Sequence, residues 1–404
     1  MTESVRVTQK TYTQDWSAYN KAQTNERAHF LSFLYELCSG IEDPVQTLGR
    51  PRLPLSDIIF SATFRTYSTV SGRRFVSELR EALAKGYLSK MPSYNSIFDY
   101  LKMGSLTPYL KHLIAESAMP LKPIETSFAV DSSGFSTTRF QRWFDVKYGG
   151  TEDWHEWIKM HITCGVSTHI VTSVELSTAM AHDSPYFKPL IESTAKAGFK
   201  MKEVSADKGY ISGDNLQTVV DHGATPYIPF KTNTTGKSGT ELWKKLFHYY
   251  SFNREEFLTH YHKRSNVETT FSMIKAKFGE RLRCKTETAQ VNEALCKVLC
   301  HNLCVVIQSM YELGVEPQFS SRGSLTLCVD PRIIDPVVHE FEMVGQSSTI
   351  EDIYMPTVSA NLFRFHFEPT QLLLKFSIAF TTIQRDDHAI KVTHKNPPIS
   401  LYDL

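Results

Sequence analysis

Long apolar runs are missing from this chain. No stretch of 18 apolar residues interrupts its 404 residues, and the opening Met1-Thr2-Glu3-Ser4-Val5-Arg6 lacks the apolar centre of a secretion signal. These absences argue against a membrane partner and lead us to expect a protein of the cytoplasm. Cysteine is sparse. Seven of them, an odd number in a large chain, speak against a disulfide framework and for free thiols in a reducing compartment. Net charge is nearly absent as well, at +1, so the overall balance gives no sign of a polyanionic partner. Internal repeats and low-complexity segments are lacking too.

What is present is ordinary for a globular protein: 41% hydrophobic and 22% charged residues, enough chain for two or three domains. The charge is unevenly placed. Residues 50–90 carry eight Lys/Arg against three acids, and residues 254–285 carry eight against four. From Gly314 the sign reverses, with eleven acids against seven bases. Two basic zones and an acidic tail suit a protein that touches a polyanion on one side.

Periodicity divides the chain into four parts. Residues 1–28 read as a polar arm or loose helix. Residues 29–122 carry short helical patterns, at about 56–68, 71–85, 93–103 and 106–118, with basic residues between them. They form either a DNA-binding domain, in which Arg73 and Arg74 meet phosphates, or a helical cap on the next domain. Residues 123–314 change to strands near 128–130, 159–164 and 170–176. Strands near 203–206 and 226–230 then alternate with helices near 185–197, 213–222 and 241–258, which predicts an α/β fold with a mixed sheet flanked by helices. A long helix at about 287–312 closes this part. Residues 315–404 form an acidic extension whose clearest feature is a strand-like alternation at 361–367.

The chemistry concentrates in three places. Phe128-Ala129-Val130-Asp131 and Val204-Ser205-Ala206-Asp207 are strand-like runs that each reach an aspartate at a turn. Read as one helix, residues 261–275 put Tyr261, Arg264, Glu268 and Lys275 within an arc of about 60°. Three carboxylates from separate elements repel one another unless cations neutralise them. Hard oxygen donors in that number suit Mg²⁺, with Mn²⁺ as a substitute. Arg264 and Lys275 beside them can hold phosphates, and Tyr261 can stack on a base or donate to a phosphate. A polar cap at a strand end remains the other reading of each aspartate taken singly, and a solvated charged face that of the helix.

The spacing Tyr261-x2-Arg264-x3-Glu268-x6-Lys275 resembles the Tyr-x2-Arg-x3-Glu-x6-Lys signature of DDE transposases of insertion sequences. Asp131 in Asp-Ser-Ser-Gly-Phe and Asp207 in Ala-Asp-Lys-Gly-Tyr are similar to that family's first and second aspartates. The resemblance also takes in Trp16 to Glu26, Lys277-Phe278-Gly279 and His301-Asn302-Leu303-Cys304, and covers roughly residues 1–315. It implies a ribonuclease-H-like catalytic domain and a metal site of Asp131, Asp207 and Glu268 holding Mg²⁺. It further implies terminal inverted repeats as the bound double-stranded DNA, strand cleavage and transfer as the reaction, and a homodimer in the synaptic complex. Some relatives insert a large β-rich segment between the second Asp and the Glu. The 60 residues between Asp207 and Glu268 are too few for it.

Other patterns carry less. Gly236-Lys237-Ser238 lacks the first glycine of a phosphate-binding loop, since Lys231 stands there. Cys296, Cys300 and Cys304 recur at helical spacing and read as small buried thiols rather than metal ligands. Asn233-Thr234-Thr235 is a glycosylation sequon with no secretory route. His182-Asp183 is either a neighbour of the metals or a loop pair without chemistry. Two further classes stay open: a non-catalytic DNA-binding derivative, and a ribonuclease-H-like nuclease for branched DNA.

Overall fold

Helix α1 (Trp16–Ser39) starts where Asp15 accepts the Ser17 and Ala18 amides at 2.9 and 3.0 Å, an N-cap that stabilises the first turn. Its buried stripe begins with Ala18, Ala22 and Glu26 before Phe30 and Leu34, small or polar residues that hydropathy alone passes over. The helix therefore starts well before the apolar pattern at His29. The computed structural model describes residues 15–44, 51–137, 157–237 and 239–319, and the backbone of 385–386 and 389–390. The first 14 residues, residues 138–156, the alternating stretch 361–367 and most of the acidic extension lie outside the described residues.

Four more helices follow: α2 (Leu55–Ser68), α3 (Gly72–Ala84), α4 (Tyr94–Leu101) and α5 (Thr107–Ala118). The sheet is built from β1 (Ser127–Ser136), β2 (Trp157–Gly165), β3 (Val171–Thr178), β4 (Glu203–Ala206) and β5 (Thr225–Tyr227), in the order β3-β2-β1-β4-β5. The first three strands are antiparallel; β4 pairs parallel to β1, and β5 parallel to β4. Helices α6 (Ser184–Lys196) and α7 (Gly213–Asp221) supply the crossovers, which parallel pairing requires. Then come α8 (Glu241–Phe252), α9 (Arg254–Tyr261), a 3-10 turn at His262–Arg264, α10 (Ser265–Phe278) and α11 (Glu287–Glu312). The expected mixed α/β sheet flanked by helices is present.

Among the described residues, helix α11 is the central helix of the core. By length and composition it could cross a membrane, yet it is buried on nearly every side against α1, α2 and α5. Its buried amides are satisfied, as burial demands. Asn302 accepts the Val171 amide at 2.9 Å and donates to the Val171 and Ile114 carbonyls at 2.7 and 3.1 Å, tying β3 and α5 to the core helix. Cys296 and Cys300 lie fully buried, and desolvation pushes the Cys296 thiol up to about 12, as expected for inert core thiols. One continuous apolar core runs through α1–α5, the sheet and α11, within a compact unit spanning Met1–Gln346. In the second unit, Ser347–Leu404, Arg385–Asp386 pairs antiparallel with Ala389–Ile390.

The β2–β3 turn fixes α10. Gly165 has no room for a side chain, because a Cβ there would lie 2.2 Å from the carboxylate carbon of buried Glu125. Glu125 accepts the Thr168 amide and hydroxyl, both at 2.6 Å. His169 then takes a left-handed conformation (φ 65°), uncommon for a residue with a side chain. In that pose its Nδ1 lies 3.2 Å from the Asn266 carbonyl oxygen in the first turn of α10, while its own carbonyl accepts His301 Nε2 at 2.8 Å.

Candidate active site

Val130 on β1 and Ala206 on β4 are the last register partners in the parallel pair, so Asp131 is the next residue of β1 and Asp207 the first residue past β4. Neighbouring strands lie about 4.8 Å apart, which sets these two aspartates side by side where the parallel pairing of β1 and β4 ends. Asp207 follows the last residue of β4, as the sequence suggested. Asp131 does not end its strand. The Ser132-Ser133-Gly134 run, a turn signal in isolation, continues β1 to Ser136 because His161, Met160 and Lys159 of β2 pair with it.

The helix expected over 261–275 is broken. Tyr261 ends α9, Arg264 lies in the 3-10 turn, and Glu268 and Lys275 belong to α10. The turn is held from the sheet side. His260 and Lys263 both pair with Glu203 at the start of β4, and Arg264 Nη1 donates to Asp131 Oδ2. Arg264 Nη2 donates to Glu268 Oε1 at 2.6 Å, and its guanidinium lies 5.9 Å from the Tyr261 ring centroid. Tyr261, Arg264, Asp131 and Glu268 thus converge despite the break. Lys275 lies further along α10, paired with Glu280 at 3.2 Å and 5.4 Å from the Phe135 ring centroid.

Electrostatics within the group are tense. Burial raises the pKa of Asp131; the Ser132 amide and Arg264 oppose that rise, and the charges of Asp207 and Glu268 add to it. Burial also works against the Arg264 charge, but Asp131, Tyr261 and Glu268 hold it on firmly. Glu268 is the outermost of the three acids, with 58% of its side chain exposed. The donor set, three hard carboxylates that repel one another, fits a divalent cation of the Mg²⁺ type. Among the described residues, however, no three His, Cys, Asp or Glu side chains are grouped closely enough to hold one ion. Arg264 is the positive charge that Asp131 and Glu268 share here.

Charged side chains also stand behind Asp131. Ser132 Oγ donates to Asp183 Oδ1 at 3.0 Å, and Lys159 Nζ meets the same oxygen at 2.6 Å. His161 Nδ1 lies 3.6 Å from it. His161 stacks on Tyr186 at 4.4 Å, and burial holds its pKa down at about 4, so the ring is neutral near pH 7. Of the pair His182-Asp183, therefore, the aspartate borders the site, while His182 is exposed. Lys159 was not anticipated; its only signal is the i, i+2 placement with His161 on one face of β2. Arg73 and Arg74 are exposed on the first turn of α3.

A family model described as the transposase DDE domain matches residues 123–303, somewhat under half of the chain. Neither a curated protein nor a solved structure gives a match. The matched stretch runs from just before β1 into α11 and so contains Asp131, Asp207, Glu268 and the whole sheet.

Proposed function

We infer that this chain, whose residues 123–303 match the model of the transposase DDE domain, is an enzyme of DNA transposition with a ribonuclease-H-like catalytic domain that works with divalent metal. We propose that it binds the terminal inverted repeats of its own element as a homodimer, in the cytoplasm, and performs Mg²⁺-dependent strand cleavage followed by transfer of the 3′ ends to target DNA. The observation that carries this reading is the register pairing beside Asp131 and Asp207, with Arg264 bridging from Asp131 to Glu268.

In this reading Asp131, Asp207 and Glu268 would hold Mg²⁺. A bound ion of this class makes a water or a 3′-hydroxyl more nucleophilic and stabilises the leaving oxygen of a phosphodiester. In cleavage the water oxygen bonds to phosphorus, the P–O3′ bond breaks, and the departing oxygen takes a proton to become the 3′-hydroxyl. In transfer that hydroxyl attacks a target phosphodiester in the same way. Arg264 suits a phosphate by its two-pronged fork, Lys275 by point charge, and Tyr261 by stacking or donation. Arg73 and Arg74, exposed and basic, add sequence-independent grip.

The test is cleavage of duplex DNA bearing the element's end by the purified chain in Mg²⁺. Asp131→Asn is expected to lose cleavage while keeping end binding, since it removes a ligand and no DNA contact. Parental cleavage by that variant would remove Asp131 from the site, and binding without cleavage by the parent would favour a DNA-binding derivative.

A further inference from the structure

A second cleft, of ≈ 610 Å³, opens where the first turn of α3 faces the segment after α10; Arg65, Ser71, Gly72, Gly279, Arg281 and Arg283 line it. Its walls are tied by hydrogen bonds. Lys297 of α11 donates to the Gly279 and Arg281 carbonyls, both at 2.7 Å, and Glu293 accepts the Arg283 and Cys284 amides at 2.9 and 2.7 Å. Arg283 reaches across to the Thr69 and Val70 carbonyls, so the α2–α3 turn is fastened to the opposite wall.

Arg65 is the unusual member. It is only 6% exposed, its Nε is buried without a partner, and among the described residues its guanidinium has no hydrogen bond or ion pair. A buried, unanswered arginine costs stability unless something supplies the acceptor. Its only described support is the Phe98 ring, 4.5 Å from the guanidinium carbon. Gly72 lets α3 press on the same ring, since a Cβ there would lie 2.9 Å from it. The amide end of α3 adds to the demand: the helix has no acid in its first turn, and Ser71 makes no capping bond. The one carboxylate in the lining, Glu280, is taken by Lys275.

We propose that this cleft binds a phosphodiester group of the DNA on which the enzyme acts, with Arg65 as the buried anchor and the α3 amides as the second wall. The assignment rests on the reading of the chain as a DNA strand-transfer enzyme. Glu268 and Gly279 are eleven residues apart on and just past α10, roughly 16 Å at 1.5 Å per residue. The cleft would therefore hold DNA a few nucleotides from the scissile bond, on the side towards α3.

The experiment uses the full chain and a labelled random-sequence duplex, with affinity followed by anisotropy across a salt series. Arg65→Gln is expected to bind about tenfold more weakly, with the slope of log affinity against log salt shallower by about 0.9, one phosphate contact. Arg65→Lys should recover most of the slope. Ser71→Asp, at an exposed position where aspartate caps a helix well, should also weaken binding without loss of melting temperature. It carries the test if Arg65→Gln does not fold. Parental slope and affinity in every folded variant would overturn the proposal. So would stabilisation of the parent by inorganic phosphate, lost in Arg65→Gln, with DNA binding unchanged; that result would make the cleft a free-anion site. Cleavage by the parent is scored separately, so failure of the cleft and failure of the transposition reading give different results.

Discussion

Arg264 Nη1 donates to Asp131 Oδ2 across 133 residues of sequence, and the same guanidinium holds Glu268. Two of the three acids expected to hold Mg²⁺ are thus occupied by a cation that belongs to the protein. On the proposed reading, Arg264 and Mg²⁺ would compete for the same carboxylates, and Arg264 would also serve the phosphate. Arg264→Ala should therefore lower the Mg²⁺ midpoint of cleavage and lower the maximal rate, by about tenfold or more for one lost charged contact. A metal titration of single-turnover cleavage reads both. An unchanged midpoint would mean that the ion pair in the resting protein has no bearing on metal binding.

Asp183 collects Ser132, Lys159 and His161 from two strands. Its removal leaves Lys159 without its partner and frees the residue next to Asp131. Asp183→Ala is expected to slow cleavage while DNA affinity at fixed salt stays within about twofold, because Asp183 is an acid and offers no phosphate contact. Asp183→Asn, which still accepts from Ser132, should be the milder change. Loss of binding in step with cleavage would make Asp183 a fold residue alone.

Several of these relationships were legible in the sequence and others were not. The two aspartates were placed by short apolar runs that become β1 and β4, and the boundaries of α2, α5 and α11 followed their apolar periods. The break at His262–Arg264 was invisible, because it is held by Glu203 and Asp131, far away in the chain. The extension of β1 past Asp131 was hidden for the same reason: its pairing partner, β2, overrides a local turn signal. Arg65 stood in the sequence as one of eight bases in a basic zone. Only the packing of α2 against Phe98 makes it a buried and unpaired charge.

Lys297 gives a pH signature for the wall of the second cleft. It is 1% exposed, and burial brings its pKa from 10.5 down to about 8. Below about pH 8 the group is charged in both folded and unfolded chains, and the full cost of burying that charge is felt. Between about 8 and 10.5 the unfolded chain binds the proton more tightly, so unfolding takes up a proton and the folded state gains stability as pH rises. Measured against Lys297→Met, which cancels other titrations, the parent should gain on the order of 2–3 kcal/mol across that window. Denaturant melts at intervals of pH check it, and a flat difference would return Lys297 to an ordinary pKa.

Lys275 closes the set. It stands seven residues past Glu268 on α10, about 10 Å along the axis, which is beyond a shared metal and within reach of a flanking phosphate. In the resting chain it pairs with Glu280, whose side chain is 55% exposed. An exposed pair of that kind is worth roughly 0–1 kcal/mol, so DNA can draw Lys275 away at little cost. Lys275→Ala should therefore slow cleavage and loosen the hold on the cut end by about 1–3 kcal/mol, as expected for a charged hydrogen bond. Its Mg²⁺ midpoint should match the parent's, in contrast to Arg264→Ala. The two variants belong in one titration, each with binding measured on uncut end DNA. A higher midpoint for Lys275→Ala with the maximal rate preserved would put Lys275 at the metal and defeat its assignment to phosphate.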